Sequence, residues 1–121
     1  MNGSVQLPVE FSDALRSALR TIQSAGPVRV VSHYDADGLA AGAVMAGALR
    51  RMGKQFHLTL SKGLEKEHVE RLSKEGNELV VFCDMGSGQI EAVEGLEAQV
   101  IAFDHHKPIR KSKKVLQVNP H

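Results

Sequence analysis

At 121 residues, with 42% hydrophobic and 24% charged side chains, the chain is long enough for one packed domain and too short for two of ordinary size. A formal charge of +1 argues against binding nucleic acid through a general basic field, and the single cysteine, Cys83, excludes a disulfide framework or a cysteine-rich zinc site. That lone thiol suits a reducing compartment, so the expected address is cytoplasmic. "MNGSVQLPVEF" has neither the basic leader nor the apolar core of a signal peptide. The longest apolar stretch, Leu39 to Leu49, falls short of the roughly 20 residues that a membrane span needs.

In "VEFSDALRSALRTIQSAG", Phe11, Leu15, Ala18, Leu19 and Ile22 share one helical face and Gly26-Pro27 ends the run, which predicts a helix over residues 9–25. "VRVVS", residues 28–32, is short, β-branched and followed by polar residues, as a buried strand is. "DGLAAGAVMAGALRRMG" has helical composition, with Asp37 placed as the N-cap and Gly53 just past the end. Gly42 and Gly47 each cost that helix about 1 kcal/mol relative to Ala, so close packing on a sheet is the expected reason for them. "QFHLTLS" reads as a second strand, "KGLEKEHVERLSKEG" as a charged surface helix ending at Gly76, and "ELVVFCD" as a third, strongly apolar strand. "SGQIEAVEGLE" predicts a short helix, "QVIAFD" a fourth strand and "KVLQVN" a fifth. Strands alternating with helices pair in parallel through right-handed crossovers. The expected fold class is α/β, an open, mainly parallel sheet with flanking helices.

Such sheets bind ligands beyond the carboxyl ends of their strands. Three of the predicted strands end in acid, at "HYDADG", "CDMGSG" and "DHH". If those strands are neighbours, His33, Asp35, Asp37, Asp84, Asp104, His105 and His106 crowd one edge. Two carboxylates about 4 Å apart repel by roughly 4 kcal/mol at an effective dielectric near 20, so the group must take up protons or bind cations. No Lys or Arg lies within the three motifs. Mixed carboxylate and imidazole donors suit Mn²⁺, or a Mg²⁺/Mn²⁺ pair, where thiolates would favour zinc.

Within the first motif, His33, Asp35 and Asp37 stand at i, i+2 and i+4, so they project to one side if the chain stays extended beyond the strand. Gly38 then permits close backbone approach and opens a helix whose N–H groups could receive a phosphate. The plainer alternative makes Asp37 only a cap and Asp35 a turn residue. Asp84, beside the small residues of "MGSG", is either a solvated loop acid or a carboxylate central to two metals, which phosphoryl chemistry holds about 3.5–4 Å apart. In "DHH", one histidine could ligate a metal while the other faces a phosphate, with Asp104 fixing an imidazole tautomer. Each motif alone reads most simply as ordinary loop; the three together do not.

"SHYDADG", the strand-end Asp of "VVFCDMGSG" and "DHHKP", in that order, resemble the first three motifs of the DHH phosphoesterase family, and "VNPH" resembles how that family continues. The resemblance runs from Val28 to His121, and "VSHYDADGLAAG" is most similar to the RecJ-type single-strand exonucleases, particularly archaeal RecJ-like ones. It implies a Rossmann-like domain in which His33, Asp35 and Asp84 hold one Mn²⁺ or Mg²⁺, and Asp37, Asp84 and His105 hold a second, with Asp84 bridging. His106 would contact the scissile phosphate and Asp104 would support the histidines. The family's fourth acidic motif and its C-terminal substrate-binding domain are expected outside residues 1–121.

The stretch "KPIRKSKK" sets Lys107, Arg110, Lys111, Lys113 and Lys114 within eight residues. It is either a solvated loop or a ramp for a nucleic-acid backbone beside the metal site, with Lys107, Arg110 and Lys111 as phosphate contacts. His57 and His68 are expected at the surface and not on a metal, His121 carries no reading from the sequence, and Cys83 is expected to be inert. The leading expectation is two-metal hydrolysis of single-stranded DNA or RNA. Its rivals are cleavage of oligoribonucleotides, cyclic dinucleotides or bisphosphonucleotides by the same family, and a non-catalytic RecJ-like replication scaffold that binds GINS.

Overall fold

The computed structural model describes residues 8–121, so most of the stretch read above for a signal peptide, residues 1–7, lies outside the described residues. The elements follow in the order α1 (Val9–Ser24), β1 (Val28–His33), α2 (Ala36–Arg51), β2 (Phe56–Ser61), α3 (Lys66–Lys74), β3 (Leu79–Cys83), a 3₁₀ turn (Ser87–Gln89), α4 (Ile90–Glu94), β4 (Gln99–Phe103) and β5 (Val115–Val118). All five strands pair in parallel in the order β2-β1-β3-β4-β5. The expected α/β class holds, and β1, β3 and β4, the strands that end in acid, are adjacent.

Side-chain alternation along the central strands divides the interior into two layers. Val28, Val30, Leu79, Val81, Cys83 and Ile101 face α1 and α2, meeting Ala18, Ile22 and Leu49. Val31, Val80, Phe82, Val100 and Ala102 face the other way, onto Leu72 of α3 and Ile90 and Val93 of α4. β3 is buried over its whole length, as a central parallel strand covered on both faces must be. A Cβ on Gly42 of α2 would stand 3.4 Å from the Ser32 Cβ, in ordinary van der Waals contact, so the helix lies close on the sheet there. Gly47 faces Arg51 instead, and the packing reason expected for it does not apply.

One boundary expectation is corrected. The N-cap of α2 is Asp35, whose Oδ1 accepts from the Gly38 N–H at 2.8 Å, and Asp37 lies inside the first turn. A cap two residues earlier means that the extended chain ends at Asp35. Asp37 is therefore carried round by helical geometry, and the i, i+2, i+4 alternation fails at its third member. Among the described residues, no helix is long and apolar enough to cross a membrane.

Candidate metal centre

The acidic residues are held where the sheet's hydrogen bonding runs one step beyond each strand. Asp84 N donates to Phe103 O at 2.8 Å, Asp104 N to Val118 O at 3.2 Å, and Tyr34 N to Ser61 O at 3.0 Å. Around β1 the backbone folds into a tight knot. Asp35 gives Oδ1 to the Gly38 N–H and Oδ2 to His33 Nδ1 at 2.9 Å, while Ser32 Oγ donates to Gly38 O at 2.6 Å. A Cβ on Gly38 would sit 1.7 Å from His33 O, so no other residue fits this close approach.

Asp84 adopts φ +60°, the sole non-glycine residue with positive φ among the described residues. Asp and Asn tolerate the left-handed region better than other side chains, and such conformations gather at functional sites. Its carboxylate is nearly buried, with 4% exposure, and Oδ1 meets His105 Nε2 at 2.8 Å. Asp104 is buried as deeply: Oδ2 accepts from Ser87 N at 3.2 Å, and Oδ1 from His105 N at 2.8 Å, His106 N at 3.2 Å and His106 Nδ1 at 2.5 Å. Two groups of potential ligand atoms result, each lying within 4.8 Å of one another: His33, Asp35 and Asp84, and Asp84, Asp104, His105 and His106. Asp84 belongs to both.

The charges answer one another. The hydrogen bond to Asp35 raises the His33 pKa, and Asp35 is lowered by the Gly38 N–H and then by His33. Burial alone would push Asp104 up, yet the His106 N–H, the His106 ring and the Ser87 N–H together outweigh it and hold the carboxyl below its ordinary value. The same contact with Asp104 raises His106. The acids thus pair with imidazoles, which eases the repulsion that the bare motifs pose. Carboxylate oxygens and imidazole nitrogens, with no thiolate, fit Mn²⁺ or Mg²⁺. Cys83 is outside this set: it is buried in the α1/α2 layer, and desolvation pushes its thiol up to about 12.

Two openings flank Asp84 and Asp104. One, about 370 Å³, is lined by His33, Asp35, His106, Lys62, Gly88 and Gln89 among others. The other, about 520 Å³, is mostly apolar, between α1, α2 and β5, with Phe11, Leu15, Ala40, Ala41, Phe103 and Val118 beside Asp37 and His105.

The structure thus brings together His33, Asp35, Asp84, Asp104, His105 and His106. Asp37 belongs to neither group but borders the second, exposed at the helix start with Oδ2 3.9 Å from His105 Nε2. The Gly38 N–H is engaged by Asp35, so it is not free to receive a phosphate. Arg110 departs from its expected place on a phosphate ramp. Its guanidinium holds Glu94 of α4 at 2.5 and 3.0 Å, because the basic stretch folds back over that helix. Lys107 and Lys111 remain exposed. Sequence reasoning missed Lys62 and Gln89, single polar residues on separate loops, and Ser87, which a motif of small residues hides. It also missed Asn119, whose only signal is the "VNPH" stretch.

Residues 27–121 match the DHH family, N-terminal domain. An uncharacterised protein of Methanocaldococcus jannaschii is 43% identical over 103 residues, which are 79% of this chain and 24% of that protein. The single-stranded-DNA-specific exonuclease RecJ of Thermus thermophilus is 33% identical over 118 residues, 91% of this chain and 17% of that one. The chain therefore spans only 24% and 17% of the length of these two relatives. Among solved structures, RecJ in complex with Mn²⁺ from Thermus thermophilus superimposes with a TM-score of 0.71 at 25% identity, over 98% of this chain and 18% of that one. Exonuclease RecJ bound to manganese gives 0.71 and 25% over 96% and 32%. CDC45 from Entamoeba histolytica, at 18% identity and a TM-score of 0.65 over 89% and 24%, shares the fold.

Proposed function

Since this chain belongs to the DHH family, as a RecJ-like N-terminal domain, we propose that it forms the metal-holding part of a nuclease that hydrolyses phosphodiester bonds in single-stranded DNA or RNA. The observation that carries this reading is Asp84, one nearly buried carboxylate common to two groups of ligand atoms. His33, Asp35 and Asp84 would hold one Mn²⁺ or Mg²⁺, and Asp37, Asp84 and His105 a second, with Asp84 between them. A pair of such ions supplies positive charge at a phosphoryl group and lowers the pKa of a bound water.

The chain's own side chains do the rest. Asp104 keeps a proton on His106 Nδ1 and turns Nε2 outward, on a ring that is 58% exposed. Because Asp104 raises the His106 pKa, Nε2 keeps a proton to higher pH than a free imidazole would, and it can donate to a phosphoryl or leaving oxygen. Lys107 and Lys111 meet backbone phosphates further along the strand. Asp84, on a left-handed backbone, has its carboxylate in both groups of ligand atoms, so this one residue could serve two ions.

The activity belongs to the whole protein, and the test uses it. In full-length protein, Asp84→Asn is expected to abolish Mn²⁺-dependent degradation of single-stranded oligonucleotides, and near-normal turnover would refute the shared-carboxylate role. A panel running from long strands to dinucleotides, cyclic dinucleotides and bisphosphonucleotides separates an exonuclease from enzymes that use the same donors on short substrates. No hydrolysis of any of them, with Mn²⁺ bound, would favour the non-catalytic scaffold.

A further inference from the structure

His105 and His106 stand in a stretch without helix or strand, residues 104–114, tied to the sheet at its first residue, where Asp104 N donates to Val118 O. Their rings nevertheless reach two different carboxylates, His105 on Asp84 and His106 on Asp104. Asp104 Oδ1 holds their N–H groups, and their carbonyls are held from the other end of this stretch, just beyond β5. Asn119 Nδ2 donates to His106 O at 2.8 Å and to Ser87 Oγ at 3.3 Å, while Asn119 Oδ1 accepts from His121 N at 2.9 Å. The His121 ring in turn donates from Nε2 to His105 O at 2.9 Å. Ser87 closes the circuit, since its own N–H donates to the Asp104 carboxylate that the His106 ring uses.

The pattern requires an amide. One nitrogen must give two hydrogens and the adjoining oxygen must accept one, which Asn does, whereas Asp has no donor and Ser or Thr has a single one. Pro120 fixes φ between the two anchors, so the chain from Asn119 to His121 makes a rigid bracket. We propose that Asn119 is a positioning residue for both histidines: it holds the His106 carbonyl directly and the His105 carbonyl through His121, and so directs one ring to Asp84 and the next to Asp104. The role does not depend on what the histidines do; only its effect on turnover rests on the nuclease reading.

Full-length protein labelled with ¹⁵N-histidine, as wild type, Asn119→Ala and Asn119→Asp, tests this. Asp is nearly isosteric and keeps the acceptor for His121 N, but it loses both donors and faces a carbonyl with a carboxylate. In the metal-free protein, long-range ¹H–¹⁵N spectra should show hydrogen-bonded, single-tautomer His105 and His106 rings in the wild type and averaged signals in both variants, with melting close to wild type for Asp. With Mn²⁺ added, kcat on an oligonucleotide should fall by about 10- to 100-fold in both variants, the loss typical of removing a partner that orients metal ligands, while KM stays unchanged. Unaltered ring signals in both variants, or wild-type signals and turnover in Asn119→Asp, would overturn the proposal. Should the wild type itself cleave nothing, the nuclease reading fails and the metal-free spectra still decide the role of Asn119.

Discussion

Gly38→Ala sets two physical effects against each other. Gly38 is helical, and helix propensity alone predicts that Ala stabilises by about 1 kcal/mol. The geometry predicts the reverse. The new Cβ would stand 1.7 Å from His33 O, 2.3 Å from its carbonyl carbon and 2.8 Å from its Cα, against the 3.0 Å that Cβ atoms keep from their neighbours. Every obstructing atom is backbone, so no rotamer can give way. The chain must open between β1 and α2, straining the Asp35–Gly38 cap and the Ser32–Gly38 hydrogen bond. Overpacking of a fitted interior costs about 1–3 kcal/mol, and a backbone clash belongs at the upper end. With the propensity gain subtracted, the net loss is about 2 kcal/mol, or a Tm about 8 °C lower at about 4 °C per kcal/mol for a domain of this size. Since the displaced atoms belong to His33 and its link to Asp35, Mn²⁺ affinity should fall as well. Thermal melts by circular dichroism and Mn²⁺ titration calorimetry read both effects. A variant that melts at or above the wild-type temperature would show that the β1–α2 turn yields freely, and the reasoning would be wrong.

Other substitutions probe different parts of the site. Asp84→Ala should be less stable than Asp84→Asn by about 1–2 kcal/mol, because Asn tolerates φ near +60° and Ala does not; equal midpoints in urea denaturation would refute that strain. Glu94 is held by Arg110 and then Ser112, and its pKa falls from 4.5 to about 2. A depressed carboxylate stabilises the fold above its unfolded pKa, so this part of the stability should disappear as the pH drops from about 4.5 to about 2, and Arg110→Ala should remove the loss in acid melts. In single-strand binding, Lys107→Ala with Lys111→Ala should flatten the plot of log K against log salt by about 1.4, at about 0.7 for each phosphate that is no longer neutralised. Arg110→Ala should leave that slope unchanged, because its guanidinium is occupied by Glu94.

Local patterns carry most of the fold. The apolar strand "ELVVFCD" and the residues Phe11, Leu15, Ala18 and Ile22 of α1 read correctly because their partners are determined by burial alone, whereas Leu19, read onto the same face, lies at its edge and is exposed. The order β2-β1-β3-β4-β5 is not written in any one segment; it follows from where each crossover returns, which depends on helices packing over distance. At the site, each strand-end acid alone reads as ordinary loop, and the group is legible because three such strands alternate with helices and so end on one edge of a parallel sheet. Asp37 reads wrongly as the cap since Asp35 and Asp37 are equally good capping residues, and only the close approach of Gly38 to His33 selects the earlier one. Charge density places Arg110 on the ramp, and it cannot reveal that Glu94, sixteen residues back, claims the guanidinium. Lys62 and Asn119 reach the site through loops whose paths no periodicity describes.

The single rungs that continue the sheet past β3 and β4, from Asp84 to Phe103 and from Asp104 to Val118, anchor the backbone of both acids to the neighbouring strands. The backbone of each acid is tied to the neighbouring strand, while the carboxylates themselves engage Ser87, His105 and His106. Everything between His106 and β5, including the basic stretch, can then change length or charge while the ligand geometry stays put. If the proposed nuclease reading holds, exchanging residues 107–114 between relatives should change which substrate is bound while the candidate ligand residues stay in place.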